Sequence, residues 1–119
     1  MGGNKYIKDR SEIFNKGFAA GMMAGLQVAS DYITMSMRDP EVMSGKPFGR
    51  GKIERIMENS IKLDDYFWVA FSDHVEADCR QEEMDAVLRE VYGDDLIPFR
   101  ERHPYAKKYD YKKARKGWT

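Results

Sequence analysis

LDDYFWVAFSDHVEADCRQEEMDAVLREVYG, residues 63–93, decides the fold. No proline interrupts it, and Gly93 is its only glycine. Tyr66, Ala70, Ala77, Met84, Leu88 and Val91 recur at helical spacing, which predicts one long amphipathic helix with a core-facing stripe. Asp64 or Asp65 is placed to cap its start by accepting from the free amides of the first turn. Gly93 is placed to end it in the left-handed conformation that suits a helix exit. Around Phe67, Trp68, Val69 and Phe71 nearly the whole circumference is apolar, so this end should be covered from several sides.

Working outward, two more helices are expected. Asp9 and Glu12 form a capping-box pattern, and a helix follows to about residue 37, with Phe14, Phe18, Met22, Ala29 and Ile33 on its buried side. Asp39-Pro40 ends it, because the residue before a proline is pushed out of the helical region. After a loop punctuated by Pro40, Gly45, Pro47 and Gly49, a short helix is expected over 51–62, with Ile53, Ile56, Met57 and Ile61 as its apolar stripe. The expected fold is therefore all-α: a small three-helix antiparallel bundle with a long central helix, in one domain spanning 1–119. Residues 1–8 are expected to form a loose N-terminal arm. Residues 96–119 are expected to form an irregular C-terminal arm, opening with an extended segment around Leu96, Ile97, Pro98 and Phe99.

Gly17, Gly21 and Gly25 stand four residues apart in the first helix. Each interior glycine costs roughly 0.5–1 kcal/mol relative to alanine, so the row calls for a reason, and close approach of another helix supplies one. Two partners fit: the bulky 67–71 end of the same chain, or a second copy meeting it in a homodimer seam.

The chain has 119 residues, 42% apolar and 34% charged, with a formal net charge of zero. That balance fits a globular protein and gives no global field toward nucleic acid or membrane. The charge is unevenly spread: residues 1–62 carry +3, residues 63–95 carry −9 and residues 96–119 carry +6. Cys79 is the sole cysteine, which excludes an internal disulfide and points to a reducing compartment. No signal peptide or myristoylation pattern is read at the start, and the apolar run 17–29 is too short to span a bilayer. A cytoplasmic protein is expected, with no membrane partner.

Chemistry is sparsely encoded. His74, Asp78, Gln81 and Asp85 would share one face of the long helix, but a His and an Asp four apart do not complete a metal site. Asp73, Glu76, Glu82 and Glu83 lie along one helix that also carries Arg80 and Arg89, and read as a solvated acidic face rather than a catalytic pair. Cys79 sits among acids that raise a thiol pKa, which disfavours a nucleophile. No catalytic residue, metal site or cofactor is expected, and the chain is not read as an enzyme.

Two basic regions are candidates for a partner. Phe48-Gly49-Arg50-Gly51-Lys52 puts Arg50 and Lys52 at a helix start, in the manner of a phosphate cradle, but lacks the P-loop spacing. The tail interleaves Tyr105, Tyr109, Tyr111 and Trp118 with Lys107, Lys108, Lys112, Lys113, Arg115 and Lys116. Such a tail can stack bases while its cations follow phosphates, or it can lie on the acidic helix as an internal arm. The matching negative charge within the same chain favours the arm.

Asp39-Pro40-Glu41-Val42-Met43, Phe48-Gly49 leading into the short helix, Glu76-Ala77-Asp78, Pro98-Phe99 and His103-Pro104 together resemble short, uncharacterised proteins carried by phages and prophages of low-GC Gram-positive bacteria, over roughly residues 14–105. The resemblance implies a virus-encoded accessory protein in the host cytoplasm, one that binds a host or phage protein, including defence machinery. It transfers no activity to any residue. The function expected is thus non-enzymatic binding of another protein, as a modulator or inhibitor; the alternative is a nucleic-acid-binding module using the tail and the Arg50-Lys52 loop.

Overall fold

The computed structural model describes the backbone of residues 2–115 and the side chains of residues 8–115. Lys116 and Trp118 of the basic tail lie outside the described residues. The described chain is all-α: α1 (Gly2–Arg38), α2 (Arg50–Phe67), α3 (Ala77–Tyr92) and two one-turn helices, α4 (Phe99–Arg102) and α5 (Tyr111–Ala114), with 3₁₀ turns at Trp68–Phe71 and Gly93–Asp95.

The long helix expected over 63–93 is instead broken in its middle. The α2 helix continues past residue 62 to Phe67, tightens into the Trp68–Phe71 turn and stops; α3 begins only at Ala77. Local hydrogen bonds explain the break. The Ser72 hydroxyl donates to the Val69 carbonyl at 2.7 Å and accepts from the His74 amide at 3.1 Å. His74 Nδ1 accepts from the Glu76 amide at 3.1 Å. Short polar side chains thereby offer the backbone partners that compete with helix continuation. From α3, Gln81 Nε2 donates to the Ala70 carbonyl at 2.9 Å and satisfies an acceptor that the broken helix leaves over.

Other boundaries move with this one. Asp64 and Asp65 lie in the last turn of α2 rather than capping a helix start. Residues 2–8, expected as a loose arm, are the first turns of α1, so Asp9 is inside the helix and no capping box forms there. Gly93 does end α3 with a positive φ of 56°, where a side chain would be strained.

The core is an aromatic hub built on the Trp68–Phe71 turn. Phe71 stacks on Tyr111 at 4.8 Å and meets Phe99 at 5.6 Å and His103 at 4.9 Å. Tyr111 also meets Phe18 of α1 at 4.8 Å, and Phe18 in turn stacks on Tyr109 at 4.8 Å. Ala70 beneath them is 0% exposed. The all-round apolar character of 67–71 thus serves a turn surrounded by α1, α3, α4 and α5.

Only part of α1 takes part. Phe18 and Met22 turn inward as expected, whereas Phe14, Ala29 and Ile33 are exposed. Leu26, Ser30 and Thr34 are half-buried instead, and Met37 is buried. Gly17, Gly21 and Gly25 face open space, with nothing within 4 Å of an added Cβ. The expected packing of this row against the 67–71 end of the chain does not occur.

Candidate binding grooves

Two open grooves flank the hub. The first lies between α2 and α3, about 280 Å³, and is lined by Leu63, Phe67, Trp68, Phe71, Met84, Val87 and Leu88, with Asp64 at its edge. Its lining is almost wholly apolar, yet Leu63 is 48% and Val87 58% exposed. Its helices are tied together at one side by Tyr66, whose hydroxyl donates to Glu83 Oε2 at 2.6 Å, a bond that raises the phenol pKa. Arg80 lies 4.4 Å from the Tyr66 ring centroid and pairs with Glu76 at 3.1 Å and Glu83 at 3.0 Å. Asp78, Glu82 and Glu90 on α3 are exposed.

The second groove, about 570 Å³, runs between α1 and the C-terminal arm and is lined by Arg10, Ser11, Phe14, Asn15, Tyr105, Lys108 and Tyr109. The arm is pinned beside it. Asn15 Oδ1 accepts from the Asp110 amide at 2.8 Å, and the Asp110 carboxylate caps α5 by accepting from the Lys113 amide at 3.0 Å. The Lys107 amide donates to the Phe71 carbonyl at 2.7 Å.

The sequence-selected tail residues divide between these surfaces and the core. Tyr109, Tyr111 and Arg115 are structural: the two rings stack in the hub, and Arg115 Nε pairs with Asp64 at 2.6 Å and its Nη2 with Asp65. Lys112 lies 5.2 Å from the Trp68 ring centroid. Tyr105, Lys107, Lys108 and Lys113 are exposed. The arm rests on α1 and the Trp68–Phe71 turn, and it meets the acidic stretch 63–93 at two points, Arg115 at Asp64 and Asp65 and Arg102 at Asp85, rather than along its length. Its connection to α3 runs through Arg102, which pairs with Asp85 at 2.6 Å in a largely buried position.

The other candidates are partnered locally. Arg50 pairs with Glu54 at 2.6 Å, which raises its pKa, and Lys52 sits 4.0 Å over the Phe48 ring. His74 lies in the loop before α3 and does not share a helix face with Asp78. Among the described residues no group of three His, Cys, Asp or Glu side chains is placed to hold a metal ion. Among them, too, no helix is long and apolar enough to cross a membrane. The α2–α3 groove was not foreseen as a site; Leu63, Met84, Val87 and Leu88 carried its signal as a stripe broader than one helix face needs. Comparison with protein-family models, curated proteins and solved structures finds no match for this chain.

Proposed function

We propose that this chain is a non-enzymatic binding protein that holds an amphipathic helix of another protein in the α2–α3 groove. The observation that carries the reading is the open apolar lining, exposed at Leu63 and Val87 and half-buried at Phe67, Met84 and Leu88, the kind of surface that takes a helix laid in a groove. The acids of α3 beside it favour a partner helix with basic flanks. In this reading α1, α2 and α3 form an antiparallel bundle in one domain, open on the groove side. The phage context, and with it a role as a modulator or inhibitor in the host cytoplasm, rests on the sequence resemblance alone.

A second reading has one specific observation in its favour. Tyr105 and Lys108 share the second groove with Arg10 and Phe14, an exposed ring beside cations, which suits a stacked base and its phosphate.

Capture from host lysate with and without nuclease, using the wild type, Val87→Glu and Lys108→Glu, separates the two. Protein partners that survive nuclease and are lost with Val87→Glu support the groove reading. Partners lost with nuclease and with Lys108→Glu support nucleic-acid binding.

A further inference from the structure

The outward side of α1 carries a long run of exposed apolar residues among the described residues. Inward-turned Asn15, Phe18, Met22, Leu26 and Ser30 define one side of the helix. Away from that side, Phe14, Gly17, Gly21, Ala24 and Val28 follow one another at three- and four-residue steps, the spacing of a helix-pairing seam, and Met35 follows seven residues on; Phe14 and Gly17 also border the arm at Tyr105 and Tyr109. Phe14 is 51%, Val28 50%, Tyr32 66% and Met35 66% exposed. No charged residue occurs between Lys16 and Asp31.

The surface balance leaves room for a partner there. A compact folded chain of 13.8 kDa exposes about 6,600 Å². This chain exposes 9236 Å², roughly 2,600 Å² more than that scaling gives. Its radius of gyration is 17.4 Å, against about 13.5 Å for a compact domain of 119 residues. A stable dimer needs about 800 Å² from each partner, well within the excess.

We propose that α1 pairs antiparallel with α1 of a second copy, across a two-fold axis near Gly21. The inference goes beyond the groove between α2 and α3 and does not rest on it. Three features select a second copy in this register. With Gly21 on the axis, Gly17 faces Gly25 of the partner copy and the backbones can close in where no side chain stands between them. Phe14 then faces Val28, large against medium, on both sides of the axis, as an isologous contact requires. Arg10 comes beside Tyr32 and Asp31, and among the described residues neither Arg10 nor Asp31 forms an ion pair within the chain. A parallel pair would set Asp31 against Asp31 and Arg10 against Arg10.

The glycines make the test clean. Replacing Gly21 with Leu improves helix propensity, and its Cβ meets nothing within 4 Å in the same chain, so the folded monomer should be retained. In sedimentation equilibrium the wild type should have twice the mass of one chain at micromolar concentration. Gly21→Leu should weaken association at least tenfold while circular dichroism and melting stay the same or improve. In a Cys79→Ser background, Gly17→Cys mixed with Gly25→Cys should cross-link under oxidation, and Gly17→Cys alone should not. A wild type that stays monomeric at several hundred micromolar overturns the proposal, as does a dimer that tolerates Gly21→Leu. Cross-linking of Gly17→Cys to itself, with none to Gly25→Cys, overturns the antiparallel register.

Discussion

His103 stands where the C-terminal arm meets the aromatic hub, in contact with Phe71 and Phe99. Burial among these rings lowers its pKa below the ordinary histidine value; the neighbouring Arg102 lowers it further, and Asp85 opposes the shift. A histidine whose folded pKa is depressed takes up protons more readily in the unfolded chain. Its contribution to stability is therefore complete above about pH 6.5 and is lost as the pH falls through the lowered folded value. Melting temperature should drop between pH 7.5 and 5.5 in the wild type, and by distinctly less in His103→Gln. An equal drop in both would show that His103 is not the group responsible. Arg102 beside it makes a different contribution: it pairs with Asp85 and donates to the Ile97 carbonyl at 2.6 Å, fixing the segment that delivers Phe99 and His103 to the hub.

At the scale of elements, the break between α2 and α3 is the device on which the fold turns. Ser72 holds it with one hydrogen bond given and one received, so Ser72→Ala should cost about 1 kcal/mol, read as a lower urea midpoint with unchanged slope. A stabilised variant would mean that the chain gains from running α2 into α3. The helical content of 63–93 was legible because its apolar spacing and lack of proline act locally. The break was not, because Ser72, Asp73 and His74 are tolerable inside a helix and the competing gain is tertiary: Ala70, Phe71 and Gln81 find their partners only once the chain turns. Gly93 and Asp39-Pro40 were legible as stops, since backbone conformation alone decides them. The glycine row of α1 was legible as unusual, but what faces it could not be read from the sequence, since among the described residues nothing comes within 4 Å of a Cβ added there. The α2–α3 groove was hidden for a similar reason. Leu63 and Val87 belong to separate helices that the sequence pattern joins into one.

At the scale of the whole molecule, the uneven charge is resolved at two places rather than along a face. Arg102 meets Asp85, and Arg115 meets Asp64 and Asp65. Both join the C-terminal arm to the acidic middle of the chain, and both bring aromatic residues with them. Removing everything after Pro104 would take away Tyr109 and Tyr111, which stack on Phe18 and Phe71, and leave Asp64 without its partner in a largely buried position. Ring pairs of this kind contribute about 0.5–1.5 kcal/mol each beyond the area they bury. Three of them are lost, between Tyr109 and Phe18, Tyr111 and Phe18, and Tyr111 and Phe71, together with the ion pair. The expected cost is about 3–5 kcal/mol, enough to lower the melting temperature by roughly 10 °C or more in a domain of this size. Loss should appear as one cooperative transition shifted downward, because the arm is the element that joins α1 to the Trp68–Phe71 turn. Nucleic-acid affinity separates this from a tail that serves only as a ligand-binding element. Such a tail could be removed with no change in melting, while binding to single-stranded DNA at low salt disappeared with the released phosphate contacts. A truncated protein that melts like the full chain would therefore remove the arm from the core and hand its cations to a partner.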